Sequence, residues 1–275
     1  MLQKCVARQV QHSCKLRGSN SGGDSSYSLS GNLPMNMNWH SRVVVALLLL
    51  ARIPTIHALS AVRVINDGIP GQNSAEIDSR TQEDLKRFKP QIVVLFVGMN
   101  DAVNDREFLS PEQTKSHVAE IARQSHAAGA LVYLITVHQP DTVRLLERHE
   151  LSVYQGISPA QRIDAVNRAL NEVAQEDHLK IADFHRKLEK AGGANRTLST
   201  DGVHLSAAGY ALLASTVREV LPKKLRTGTI LCLGDSLTYG IGVRQAGDPQ
   251  EGADTYPAQL RRLLSEGIPA GADPR

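Results

Sequence analysis

Residues 229–240 read TILCLGDSLTYG, an apolar run that leads into Gly-Asp-Ser and then a glycine-containing turn. The run before Gly234 predicts a short strand buried on both faces, and the following residues predict a turn into a helix. A serine at such a turn can expose its hydroxyl beyond the end of the strand. The stretch therefore indicates a parallel α/β sheet and a candidate nucleophile, Ser236.

The chain from residue 61 onward repeats this alternation of strand and helix signals. Apolar, β-branched runs predict strands at Val62–Asn66, Ile92–Val97, Leu131–Val137, Lys180–Phe184 and Thr229–Leu233. Helical periodicity predicts helices at Ala75–Phe88, Pro111–Ala128, Pro159–Asp177, Ser206–Leu221 and Thr255–Ser265. Buried strands that alternate with helices are typical of a parallel sheet in a three-layer α/β/α domain. We therefore predict one α/β domain over residues 61–275, with a parallel five-stranded sheet.

The first sixty residues have a different composition. Their Ser-, Gly- and Asn-rich beginning predicts a disordered tail over 1–60. Within it, 35–60 contain Arg42, the apolar run Val43–Ala51 and then small residues, an order typical of an export signal. The run is shorter than the roughly 18 apolar residues that a membrane span needs, so no integral membrane span is predicted. Met37–Ala61 thus predicts export; the alternative is a short helix packed on the domain of a cytoplasmic protein.

Net charge argues against a nucleic-acid partner. Six of the 31 basic residues but one of the 28 acidic residues lie in 1–60, which leaves 25 basic and 27 acidic residues in 61–275. The predicted domain therefore lacks the clustered positive charge that binds nucleic acid. The three cysteines show no metal-ligand spacing and form no disulfide framework, and Cys232 inside the apolar run reads as a core residue.

Four polar segments follow or face the ends of predicted strands: NDGIPGQNS, GMND, STDGVHLS and GDSLTYG. In parallel α/β folds, ligands bind beyond the carboxyl ends of the strands, so these segments are expected to meet at one edge. A serine nucleophile needs a base and a group that orients the base. We predict Ser236 as nucleophile, His204 as base and Asp201 as the orienting carboxylate. The amides of Ser236 and Gly71 and the side chain of Asn100 are the predicted oxyanion-hole donors.

These four segments together resemble the SGNH, or GDSL-type, serine esterases and lipases. The matching blocks are GDSLTYG with Ser236, IPGQNS with Gly71, GMND with Asn100, and DGVHLSAAGY with Asp201 and His204. The resemblance covers about residues 62–275. It implies a flavodoxin-like α/β/α fold and hydrolysis of a small-molecule ester through an acyl-serine intermediate, without a metal or cofactor. The G-x-S-x-G elbow of α/β-hydrolases is absent.

The order of the blocks departs from the family pattern, in which the serine block comes first. Here the serine block comes last, so the chain reads as a circular permutation in which 228–275 would normally precede residue 62. The loop Pro222–Gly228 would close the gap between the last family helix and the serine strand. The serine strand is then expected between the strands that begin at Val62 and Ile92.

Two alternatives stay open at this point. The chain could be a non-catalytic carbohydrate- or acyl-binding module that has kept the fold, or its site could be completed only by segment exchange between two chains. The sequence does not fix the oligomeric state. Polar, Gly- and Pro-containing loops, among them Val137–Ser158, favour short-acyl or polar esters such as acetylated carbohydrates over long-chain lipids.

Overall fold

The computed structural model describes residues 62–244 and 252–266, all of which belong to one unit, His57–Arg275. The predicted disordered tail, with its signal-like segment Met37–Ala61, lies outside the described residues.

Five strands form a single sheet in which every neighbouring pair is parallel. The strands are β1 (Arg63–Gly68), β2 (Ile92–Phe96), β3 (Leu131–Ile135), β4 (Lys180–Ala182) and β5 (Thr229–Gly234). Their spatial order is β1-β5-β2-β3-β4. The predicted α/β fold with a parallel five-stranded sheet is therefore confirmed.

Strand β5 comes last along the chain but lies between the first two strands in space. Cys232, in the middle of β5, is in register with Asn66 of β1 and with Val94 of β2. Its thiol is free and fully buried, as expected of a small core residue. Both hydrogen-bonding edges of β5 are thus paired, and the predicted position of the serine strand is confirmed.

Helices cover both faces of the sheet. The described helices are α1 (Ser74–Phe88), α2 (Met99–Val103), α3 (Pro111–Ala127), α4 (Thr142–Leu146), α5 (Pro159–Glu176), α6 (Phe184–Lys190), α7 (Ala207–Val220), α8 (Ser236–Tyr239) and α9 (Tyr256–Glu266). On one face, α3 packs against α1 and α5; on the other, α7 packs against α9. The buried strands and the inner helix faces share one hydrophobic core, which gives the three layers that the sequence predicts.

The N-termini of the long helices carry the caps that their sequences indicate. Ser110 and Ser158 each accept a hydrogen bond from the third helical amide and form capping boxes with Gln113 and Gln161. In each case proline occupies the first turn, where its missing N–H costs nothing. These caps fix where α3 and α5 begin.

The predicted strand bounds differ from the structure by one or two residues at several ends, and the sequence prediction missed the short helices. The predicted strand Lys180–Phe184 ends at Ala182, because the side chain of Asp183 accepts the amide N–H of Arg186 and starts α6 at Phe184. The missed helices α2, α4, α6 and α8 have four to seven residues each, too few to show helical periodicity. None of the described helices is long and apolar enough to cross a bilayer.

Candidate active site

Ser236 lies at the carboxyl end of the interior strand β5, as the first residue of α8. The preceding residue, Asp235, caps this short helix, and its Oδ1 accepts the amide N–H of Leu237 at 2.8 Å. The turn is tightly packed, since a Cβ added to Gly234 would lie 2.3 Å from the Oγ1 of Thr238. Ser236 itself keeps 7% of its surface exposed. The turn therefore holds the serine at the sheet edge where ligands bind in parallel α/β folds.

His204 connects Ser236 to Asp201. Its Nε2 lies 3.1 Å from the Oγ of Ser236, and its Nδ1 lies 2.7 Å from the Oδ2 of Asp201. The Oδ1 of Asp201 accepts the backbone N–H groups of Val203 and His204, at 2.9 and 2.7 Å. The structure thus brings the three predicted residues together, with His204 within hydrogen-bond reach of both Ser236 and Asp201.

The charge of Asp201 is stabilised by these partners. Partial burial acts to raise its pKa, but the hydrogen bond and the charge of His204, together with the two backbone amides, lower the pKa below its ordinary value. Asp201 is therefore an acceptor that holds the Nδ1–H tautomer of His204 and leaves Nε2 free to accept a proton.

Several contacts hold the loop that carries Asp201 and His204. Ser199 and Leu205 form an antiparallel bridge across its base, and the amide of Gly202 donates to the hydroxyl of Ser199 at 2.8 Å. The buried guanidinium of Arg144 donates to the carbonyls of Ser199 and Ala194. Arg148 donates to the Asp201 carbonyl at 2.9 Å and lies 3.4 Å from its Oδ2. The loop is thus held from the segment after β3, a set of contacts that no sequence motif indicates.

His138, which the sequence places directly after a predicted strand, lies behind this loop and lines no opening. Its side chain is fully buried, with Nε2 2.9 Å from the Val203 carbonyl. Burial lowers its pKa to about 4, so the ring is neutral at pH 7 and donates from Nε2. His138 therefore supports the backbone next to His204.

Two backbone amides at the predicted oxyanion hole have no acceptor. Among residues 62–244 and 252–266, neither the Ser236 amide nor the Gly71 amide donates a hydrogen bond. Gly71 adopts φ +83°, a left-handed conformation that favours glycine. A Cβ there would lie 2.9 Å from Nη2 of Arg106, which donates to the Gly71 carbonyl. Both amides are therefore available to a ligand oxygen.

Asn100, the third predicted donor, ties two of the site segments together. Its Nδ2 donates to the Gln72 carbonyl at 2.8 Å and to the Oδ2 of Asp235 at 3.1 Å. Its Oδ1 accepts from Asn104 at 3.1 Å. Asn100 thus lies beside both the loop of Gly71 and the turn of Ser236, with both amide hydrogens directed to protein acceptors.

The carboxyl group of Asp235 is buried against Asn100. Its pKa is raised to about 7: burial and the charge of Asp101 raise the pKa, while the Leu237 amide, His204 and Asn100 act in the opposite direction. Asp101 is also buried and accepts the amide and the hydroxyl of Ser74, which anchors α2 to the start of α1. In the part of the chain that the structure describes, neither aspartate is hydrogen-bonded to Ser236. This is in keeping with a structural function for each.

Within the described residues, no group of three or more His, Cys, Asp or Glu side chains is placed to hold a metal ion. The predicted site residues take part in the hydrogen bonds described above.

Comparisons with known proteins identify the class. Residues 39–212 match the GDSL-like Lipase/Acylhydrolase family, more than half of the chain. The chain belongs to this family and is a carboxylic ester hydrolase. The matched segment contains Gly71, Asn100, Asp201 and His204 and ends before Ser236.

Three individual proteins are similar to this chain at about the same level of sequence identity. Esterase TesA from Pseudomonas aeruginosa is 27% identical over 155 residues, which are 56% of this chain and 67% of that protein. Acetylxylan esterase from Geobacillus stearothermophilus is 26% identical over 164 residues, 58% of this chain and 72% of that protein. Among solved structures, the lipase/acylhydrolase from Enterococcus faecalis is 27% identical, with a TM-score of 0.47 over 56% of this chain and 72% of that chain.

Proposed function

We propose that this protein is a serine esterase with Ser236 as nucleophile, His204 as general base and Asp201 as the orienting carboxylate. The observation that carries the proposal is the contact of His204 with both partners, 3.1 Å to the Ser236 hydroxyl and 2.7 Å to the Asp201 carboxylate. A serine hydroxyl becomes a strong nucleophile only when such a base accepts its proton.

In the first half of the reaction, the Oγ of Ser236 attacks the ester carbonyl carbon while His204 Nε2 takes the hydroxyl proton. The carbonyl oxygen becomes an oxyanion, which the amides of Ser236 and Gly71 and the Nδ2 of Asn100 stabilise. The imidazolium then gives its proton to the leaving alkoxide oxygen, and the carbon–oxygen bond of the ester breaks. The products are a free alcohol and an acyl-serine.

In the second half, a water molecule attacks the acyl carbon and His204 again accepts the proton. Collapse of the second tetrahedral intermediate returns that proton to Ser236 and releases the carboxylic acid. Asp201 stays ionised throughout, which its lowered pKa favours, and stabilises the imidazolium in both halves.

For the substrate, we propose short-acyl or polar esters such as acetylated carbohydrates. The polar segment Val137–Ser158, which contributes Arg148 beside Asp201, supports a polar binding wall. A relative named acetylxylan esterase is consistent with this class. The test is the ratio of kcat/KM for p-nitrophenyl acetate to that for p-nitrophenyl octanoate. A ratio well above one supports the proposal, and a preference for octanoate overturns it.

We also propose that the chain order arose by circular permutation of the usual family order. In support, β5 precedes the nucleophile and lies between β1 and β2 although it is last in the chain. The connection from α7 to β5 is a short surface segment, as expected of a site where old chain ends were joined.

The central experiment compares p-nitrophenyl acetate hydrolysis by the purified protein and by Ser236→Ala, with the mass of each in solution. Activity from a monomer that the substitution abolishes, with an organophosphate label on Ser236, supports the proposal. Activity found only in dimers points instead to segment exchange. No turnover and no label on Ser236 would favour a non-catalytic binding module.

A further inference from the structure

Arg80 has an unusual environment for a residue on a surface helix. It lies in the second turn of α1, yet its side chain is only 14% exposed and extends under the carboxyl ends of β1 and β5. No sequence motif indicates it, because its partners are spread over 67–234 of the chain.

All five N–H donors of the Arg80 guanidinium are used. Nε donates to the Gln72 side-chain oxygen at 2.8 Å. Nη1 donates to the carboxylates of Asp67 and Asp84 at 2.8 and 2.7 Å. Nη2 donates to the carbonyls of Asp67 and Gly234 at 2.9 and 3.1 Å. A fully satisfied, nearly buried guanidinium is a rigid planar connector with little freedom to move.

Two of the acceptors of Arg80, Gln72 and Gly234, belong to the two segments that carry the free oxyanion amides. Gln72 follows Gly71 directly, and its carbonyl accepts from Asn100. Gly234 stands two residues before Ser236, and its carbonyl also accepts the amide of Ile69 from the loop of Gly71. One guanidinium therefore joins the Gly71 loop to the Ser236 turn.

We propose that Arg80 is a positioning residue for the oxyanion hole, which fixes the separation of the Gly71 and Ser236 amides. The proposal rests on the esterase function proposed above. Oxyanion donors must lie at set distances from the developing charge, and small displacements of such groups are costly in rate. Arg80 acts from behind the site and touches no reacting atom.

The same residue also balances charge, and the test must separate the two functions. Asp67 and Asp84 face each other across Arg80; burial and the charge of Asp67 raise the pKa of Asp84, while Arg80 acts to lower it. Losing the guanidinium would leave two close carboxylates, which destabilises the fold whether or not Arg80 positions anything. A variant that keeps the charge and a control that disturbs only the ion pair are therefore needed.

The main variant is Arg80→Lys, which keeps a positive charge but replaces the planar fork by one ammonium that cannot span Gln72, Asp67 and Gly234. The matched control is Asp84→Asn, which weakens the ion pair but leaves the contacts to Gln72 and Gly234. For both, kcat and KM for p-nitrophenyl acetate, the melting temperature and the inhibition constant of phenylboronic acid are measured. Phenylboronic acid forms a tetrahedral adduct with a serine nucleophile and so reports on the oxyanion hole.

We expect kcat of Arg80→Lys to fall roughly 10- to 100-fold, the range for small misplacement of catalytic groups, with KM nearly unchanged. The boronic acid should lose affinity by the same factor as kcat/KM. Asp84→Asn should lower the melting temperature and leave kcat and boronic acid affinity as in the wild type.

A folded Arg80→Lys with wild-type kcat overturns the positioning proposal, as does an equal loss of kcat in Asp84→Asn at matched stability. If Arg80→Lys does not fold, the double variant Arg80→Met/Asp84→Asn, which removes the guanidinium and one carboxylate together, is judged by the same criteria. A wild type without esterase activity overturns the proposed function, and this proposal with it. An active wild type with an unaffected Arg80→Lys overturns the positioning proposal alone.

Discussion

The Nδ2 of Asn100 lies 3.1 Å from the Oδ2 of Asp235, so a buried carboxyl group holds one of the predicted oxyanion donors. The other hydrogen of the same amide is directed to the Gln72 carbonyl. A developing oxyanion must therefore share or displace one of these acceptors. Its negative charge favours the exchange, because hydrogen bonds to charged oxygens are stronger than those to neutral ones.

Replacing Asn100 by alanine should reduce kcat by about 100- to 1000-fold, the typical cost of one oxyanion-hole donor. KM should change little, because the lost hydrogen bond strengthens mainly in the transition state. The measurement is steady-state hydrolysis of p-nitrophenyl acetate. The matched control is Asn104→Ala, which removes the donor to Asn100 Oδ1 and the acceptor of the Arg106 amide but leaves the Nδ2 group of Asn100 in place. A wild-type kcat in Asn100→Ala would exclude Asn100 from the oxyanion hole.

The buried Asp235 should make the stability of the fold depend on pH. Its pKa is about 7 in the folded protein against an ordinary value of 3.8. Between these values the native state keeps a proton that the unfolded state has released, so the free energy of unfolding falls as pH rises from about 4 to 7. The slope approaches about 1.4 kcal/mol per pH unit for one group.

Urea unfolding at pH 5 and pH 8 tests this expectation. The Asp235→Asn variant should lose that part of the pH dependence, and replacement of the exposed Asp177 by asparagine should keep it. The difference between variant and wild type isolates Asp235 from Asp101, whose pKa burial also raises. Equal pH dependence in wild type and Asp235→Asn would contradict a protonated Asp235 in the fold.

Asp201→Asn should impair catalysis by about 10⁴-fold in kcat, through the tautomer of His204. The Oδ1 of Asp201 accepts two backbone N–H groups, so an asparagine keeps its oxygen there and turns its NH₂ group toward His204 Nδ1. The ring is then protonated at Nε2 and cannot take the proton of Ser236. The control is Asp164→Asn; within the described residues, the Asp164 carboxylate accepts a hydrogen bond from the Gln139 side chain, at 2.8 Å. If the two variants hydrolyse p-nitrophenyl acetate equally well, Asp201 does not orient the base.

A chain shortened to end at residue 227 should neither hydrolyse esters nor unfold cooperatively. It lacks β5, and with it the nucleophile and the pairing partner of both β1 and β2. Near-UV circular dichroism and urea unfolding report on fixed tertiary packing. A stable, cooperative shortened chain would show that the sheet closes without β5.

The strands and the segments that meet at the candidate site could be predicted from the sequence because their signals are local. A few consecutive residues are enough to indicate the buried strand at Thr229–Leu233 and the helix start at Ser158-Pro159. The position of β5 followed from the block order and from the rule that parallel strands present their carboxyl ends at one edge.

The supporting residues could not be predicted in this way. Arg80 contacts Gly234, which is 154 positions away, and Arg144 contacts Ser199, 55 positions away. Each is an ordinary charged residue on a helix until the fold assembles its acceptors around it. The predicted end of the fourth strand at Phe184 was wrong for a related reason. One capping side chain, Asp183, starts a helix there despite the apolar character of the residues beside it.

The position of β5 between β1 and β2 has a consequence for how the protein is made. A ribosome adds roughly 5–20 residues per second, so β1 emerges roughly 10–30 s before the strand that it pairs with. During that interval the edges of β1 and β2 that pair with β5 stay open, and such edges can pair with foreign strands. The segment that pairs with β1 and β2 also carries Ser236, the proposed nucleophile. Partly synthesised chains should therefore be inert toward esters, and catalytic competence should appear only as the sheet closes.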